Sequence, residues 1–146
     1  TCISHRLSAE EMNQQVINSD LVVDATDNFA TRALINRACT ANQKPAVFGA
    51  AVRLEGQLFI YDPAQQDAPC YECLHPNIND AALNCADSGV AGPIVGIIGT
   101  MEAMEAIRLI CGIGRTTAGI LQTFDARDMQ WHQFKVLKRA DCAGCE

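Results

Sequence analysis

Two cysteine pairs, Cys70-x-x-Cys73 and Cys142-x-x-Cys145, stand far apart in a chain of 146 residues that holds eight cysteines. Two such knuckles supply four thiolates, the complement that a tetrahedral zinc takes in a closed structural site. Turn-forming residues surround both, Pro69 and Pro76 about the first pair and Ala143-Gly144 inside the second, as backbone wrapped around a metal requires. Zinc bound there would pin the C-terminal segment onto the middle of the domain. Two rival uses carry less weight. Disulfides need an oxidising compartment, and no charged segment followed by an apolar one marks the sequence for secretion. Thioredoxin-like redox chemistry needs "CYEC" to open a helix that lowers the thiol pKa, whereas a long polar stretch follows it here.

Cys85 lies apart from both knuckles, in "NCADSGVAGP" just before an expected helix start, where exposure and the helix dipole favour thiolate. It is the candidate reactive thiol, although an unreactive loop cysteine looks the same in sequence. Cys39 and Cys111 fall among apolar residues on expected helices and read as small core fillers. Asp24 and Asp27 flank the end of an expected strand, where open α/β sheets bind ligands, and a carboxylate there suits magnesium with nucleotide phosphates. Capping of the next helix by Asp27 or Asn28 explains the same residues. No phosphate-binding glycine loop accompanies them, since "GIGRTTAG" puts Thr117 where the third glycine of G-x-G-x-x-G belongs. The nucleotide site legible in this sequence is therefore incomplete. His5, His75 and His132 share no ligand-like spacing; His75, two residues after Cys73, is a fallback zinc ligand or a surface residue. Trp131 reads as a core or interface aromatic.

Elements must hold these residues in place. "DLVVD" is a short apolar run that reads as a strand, and "FATRALINRACTANQK" repeats Leu34 with Ala38 and Ile35 with Cys39 at helical spacing before Pro45. "AVFGAAV" and "GQLFIYD" read as two further strands, the second with Leu58 and Ile60 on one face and Phe59 and Tyr61 on the other. From Pro63 to Gly92 no period persists, and a connection that long is usually functional. Pro93 suits the first turn of a helix reaching about Cys111, with Ile94, Ile97 or Ile98, Met101 and Met104 as its inward stripe and Gly96 and Gly99 open to a close neighbour. "GILQTFDA" and "WHQFKVLKR" form an expected hairpin around "RDMQ". Strands alternating with helices predict an α/β class with a mixed sheet in one domain, residues 1–146.

Composition narrows the partners. A chain that is 49% hydrophobic and 19% charged has enough apolar residues for a core, and the net charge of -6 offers no phosphate-neutralising stripe for nucleic acid. The most apolar stretch, residues 92–112, carries Glu102, Glu105 and Arg108, which argue against a membrane span. The expectation is a cytoplasmic protein. The opening "TCISHRL", without an initiator Met, suggests that something upstream is missing.

Taken together, "DLVVDATDNFATRALIN", "EGQLFIYDP", "CYEC", "NCADSGVAGPIVGIIGTMEAMEAI" and "CAGC" resemble the ThiF/MoeB/HesA family, relatives of the ubiquitin-activating enzymes. The motifs run in the family's order over nearly the whole chain and match the C-terminal half of such an enzyme. The family's glycine-rich nucleotide loop belongs to an N-terminal half that this sequence lacks. The resemblance implies a Rossmann-like mixed sheet with a structural zinc on Cys70, Cys73, Cys142 and Cys145. It implies ATP and magnesium as cofactors, with Asp27 supporting Mg-ATP and Asn28 beside it in the nucleotide pocket. It implies adenylation of the C-terminal glycine of a ubiquitin-like sulfur carrier protein, with Cys85 in the position of a cysteine that links covalently to the carrier in ThiF-type members. The wording "NCADSGVAGP" and "KRADCAGC" favours thiamine over molybdopterin sulfur transfer, and the intact enzyme is expected to be a homodimer. The fragment alone is expected to be inactive. The rival from another class is a non-catalytic, zinc-stapled module that binds a ubiquitin-like partner.

Overall fold

The computed structural model describes residues 1–76 and 88–145. The first element, α1 (Ala9–Ile17), escaped the sequence reading, yet its start is written in a capping box. The Ser8 hydroxyl accepts from Glu11 N–H at 3.3 Å while the Glu11 carboxylate accepts from Ser8 N–H at 2.8 Å. The helix turns Met12 and Val16 inward. Then come β1 (Val22–Asp24), α2 (Phe29–Ala41), β2 (Ala46–Val52) and β3 (Glu55–Tyr61). A one-turn α3 (Tyr71–Leu74) precedes α4 (Gly92–Cys111), β4 (Ile120–Asp125) and β5 (Gln130–Lys135).

The five strands form one mixed sheet in the order β1-β2-β3-β4-β5. β1 and β2 are parallel, which requires the crossover supplied by α2, and the remaining pairs are antiparallel. Alternation along β3 divides the core as its sequence predicts. Phe59 and Tyr61 pack with Phe48, Ile35 and Val16, beneath α1 and α2, while Leu58 and Ile60 pack with Val47, Met101 and Leu109 beneath α4. A third cluster joins Ile94 and Ile98 of α4 to Phe124 of β4, over which Trp131 of β5 stacks at 4.8 Å.

The inward stripe of α4 follows expectation through Met101, which packs with Leu58 and Ile60, and departs from it at Met104. Ile94 and Ile98 are buried as predicted, but the stripe continues through Glu102 and Glu105, and Met104 is 55% exposed. A period of 3.6 residues carries 94 and 98 on to 102 and 105, so the apolar Met104 was the wrong partner. Cys39 is fully buried, whereas Cys111, at the last turn of α4, is exposed and fills no core. A Cβ at Gly96 or Gly99 would meet no atom of the described residues, so no neighbour uses that approach here. None of the described helices is long and apolar enough to cross a membrane.

Candidate functional site

The four knuckle cysteines converge. Their sulfur atoms all lie within 4.8 Å of one another, with 3.9 Å between Cys70 and Cys73, 3.6 Å between Cys70 and Cys142, and 3.4 Å between Cys73 and Cys145. Zinc with four bonds of about 2.3 Å sets tetrahedral sulfur edges of about 3.8 Å, so the spacing fits that ion. Each knuckle closes on itself, Cys73 N–H donating to Cys70 O at 3.1 Å and Cys145 N–H to Cys142 O at 3.0 Å. Burial and then the neighbouring Cys73 thiol push Cys142 up to about 11, and burial with Cys70 raises Cys145 as well. Four thiolates in such a place need a cation to offset their charge. A second layer holds the sulfurs. Asn36 of α2 donates to Cys70 Sγ at 3.5 Å and to Glu72 at 2.9 Å, and its carbonyl oxygen accepts from Tyr71 N–H at 2.8 Å. Arg37 closes the layer with two bonds to the Glu72 carboxylate, and a Cβ at Gly144 would overlap Glu72 and Asn36. His75 does not join the cluster and is half-buried. It packs on Tyr71 and Phe29 at 4.9 and 5.6 Å, and burial followed by the charge of Arg32 lowers its pKa.

The second site lies at the carboxyl ends of β1 and β2. Asn28, not Asp27, caps α2, its side-chain oxygen accepting from Thr31 N–H at 2.9 Å and from the Thr31 hydroxyl at 2.7 Å. Asp27 is left exposed and lines two adjoining clefts. One, of about 410 Å³, runs between Asp27 and Glu102; the other opens on Ala50, Val52 and Tyr71. Beneath Asp27 sits a buried ionic group that the sequence reading missed. Arg32 of α2 lies 3.4 Å from Asp24 and donates to Thr26 O at 2.5 Å, Gly49 O at 2.6 Å and the Tyr71 hydroxyl at 3.2 Å. Asp24 also accepts from Thr26 N–H and Oγ1, yet burial outweighs these partners and raises its pKa. Glu102 faces the same group from α4 and is 5% exposed. Its carboxyl occupies the space a side chain at residue 49 would need, so any residue but glycine there would have to displace it. The available signal was an Arg and two Glu at inward helical positions, where a charge is kept only if paired. Cys85 lies outside the described residues.

An open mixed sheet with a cleft at its strand ends, an acid at the mouth and a four-cysteine cluster that could hold zinc defines the class, an α/β protein. The chain belongs to the ThiF family, whose model matches residues 1–145. It is 40% identical over 145 residues to the sulfur carrier protein ThiS adenylyltransferase of Escherichia coli, covering 99% of this chain and 57% of that protein. It is 37% identical to the molybdopterin-synthase adenylyltransferase of the same organism, covering 99% and 58%. With the adenylyltransferase and sulfurtransferase MOCS3 of Aedes aegypti it shares 43% identity over 96% of this chain and 32% of that protein. The chain thus spans little more than half the length of its bacterial relatives. The same fold occurs in crystal structures of E. coli MccB with MccA-N7isoASN, at a TM-score of 0.76 and 15% identity over 98% of this chain and 45% of that one, and of PaaA, at 0.64 and 11% over 89% and 46%.

Proposed function

We propose that this chain is the C-terminal part of a sulfur-carrier-protein adenylyltransferase, and that the whole enzyme uses ATP to activate the C-terminal glycine carboxylate of a ubiquitin-like carrier. The observation that carries this reading is the division of labour after β1: Asn28 takes the capping role, which leaves the Asp27 carboxylate exposed at the mouth of a cleft at the strand ends. That carboxylate is the ligand position for magnesium bound to the nucleotide phosphates, and Asn28 borders the same pocket. A carboxylate is a poor electrophile. Attack of its oxygen on the α-phosphorus of ATP releases pyrophosphate and leaves an acyl-adenylate, from which a sulfur nucleophile expels AMP. The glycine-rich loop that cradles the phosphates belongs to the remaining part of such an enzyme, so the piece alone is expected to be inactive.

Cys85 is proposed, from the family resemblance, as the thiol that joins the carrier after adenylation, and the four knuckle cysteines as ligands of a structural zinc. Motif wording favours thiamine sulfur transfer; the 40% and 37% identities to the two E. coli enzymes are too close to decide by themselves. A homodimer would cover Val95, Met104, Ile107 and Ile110, the exposed apolar side chains of α4.

The test is carrier-dependent ATP–pyrophosphate exchange by the full-length enzyme, wild type against Asp27→Ala. Loss of roughly a hundredfold in rate is expected when a group supporting transferring phosphate is removed. Equal rates would take Asp27 out of the chemistry, and no exchange with any carrier would leave a docking module.

A further inference from the structure

We propose that the groove beside the cysteine cluster is the docking site for an acidic, extended segment of the enzyme's protein substrate. The inference rests on the reading that the full-length enzyme acts on a carrier protein, and it names the surface that holds that carrier. The groove measures about 1030 Å³, more than twice the cleft between Asp27 and Glu102. One wall, residues 65–69, runs directly into Cys70, and the other, residues 135–140, runs directly into Cys142. The cysteine cluster therefore ties the two walls together and fixes their separation.

Charge selects the occupant. The chain as a whole carries -6, yet one wall sets Lys135, Lys138 and Arg139 within five positions, against Asp67 as the acid among the described lining residues. Arg139 spends its charge on Asp141 at 3.1 Å, while among the described residues neither Lys135 nor Lys138 makes a salt bridge. Leu137 stands between the two lysines, 69% exposed, and offers an apolar contact beside the cations. Paired cations around an apolar residue suit an acidic segment with an apolar side chain of its own, steered in by charge.

Position relates the groove to the chemistry. It lies at the end of the sheet where Ala46 pairs with Tyr61, while Ala50 and Ala51, toward the other end of β2, line the clefts at Asp27. Seven residues of strand at about 3.3 Å each separate the ends by roughly 23 Å, and up to four strand spacings of about 4.8 Å separate β5 from β1, so the span is roughly 30 Å, which an extended tail of about nine residues covers. A carrier anchored at the groove can thus lay its C-terminus beside Asp27.

The experiment titrates the full-length enzyme with the purified sulfur carriers of thiamine and of molybdopterin synthesis, by calorimetry at low and high salt. The Lys135→Glu/Lys138→Glu variant is expected to weaken carrier binding by about tenfold or more and to lose most of the salt dependence, with KM for ATP and the melting temperature unchanged. Lys138→Gln alone provides a milder variant should the double reversal unfold. Unchanged affinity in a folded variant, or a wild type that binds neither carrier, overturns the groove. Exchange assays run beside the titration separate the two ideas. Binding that responds to the reversal without any adenylation keeps the groove and removes the proposed reaction, whereas adenylation with affinity indifferent to the reversal does the opposite.

Discussion

At Glu102, burial takes the carboxyl out of water and the charge of Asp24 opposes its ionisation; Arg32 and the Gly49 N–H compensate only in part, so its pKa is pushed up from 4.5 to about 7. The sign of the consequence follows from proton counting. Between those two values the native state keeps a proton that the unfolded chain has released, so stability falls as pH rises through the window and the full penalty stands above it. Asp24, raised by burial in the same direction, adds to the trend. Glu102→Gln preserves the shape and removes the charge. It is expected to stabilise the protein by on the order of 2 kcal/mol at pH 8 and by much less at pH 4.5, read from urea midpoints. An equal change at both pH values would show that the carboxyl is solvated and the buried group misjudged. Arg32 is the reverse case, since its loss would strand Asp24 as an uncompensated buried charge.

At the scale of elements, α4 approaches β2 closely because residue 49 has no side chain. Gly49→Ala is expected to destabilise by about 1–3 kcal/mol, the usual cost of overpacking, by driving its Cβ into the Glu102 carboxyl. Glu102→Ala in the same chain should recover most of that loss, and a double-mutant cycle with no coupling would place the strain elsewhere. This contact also explains what the sequence kept hidden. The paired knuckles announce themselves by spacing, and the mixed sheet follows from strand alternation around one crossover helix, because both signals are local. The Asp24, Arg32 and Glu102 group joins β1, α2 and α4 across the sheet, and no spacing along the chain encodes that meeting. Met104 misled for the same reason: hydrophobicity named it an inward residue, while the helix period delivered Glu105 to the interior. For α1 the capping box was present in the sequence as Ser8 and Glu11, and its strongly polar helix offered too few apolar residues to reveal a period.

Across the whole molecule the cysteine cluster is the link between distant parts of the chain, joining residues 70–73 to 142–145 and, through Asn36 and Arg37, to α2. The buried core on that face includes Cys70, Cys73 and Cys142 beside Phe48, Phe59 and Tyr71, so the cluster belongs to the hydrophobic interior and is not an appendage. Removing a metal from such a site leaves four sulfur atoms crowded within 4.8 Å of one another and without their common centre. The expected content is one zinc per chain by elemental analysis. Chelation should then lower the melting temperature and broaden the transition, with the segment after β5 exchanging its amide protons first, because metal binding and folding share one free energy. Cys142→Ser should reproduce much of this effect without chelator. Cys39→Ser supplies the control: it buries a hydroxyl outside the cluster, so it should lower stability while leaving the zinc content at one. A metal-free chain that melts as sharply as the native one, or a Cys142→Ser variant that retains zinc and stability together, would show that packing alone holds the C-terminal segment in place.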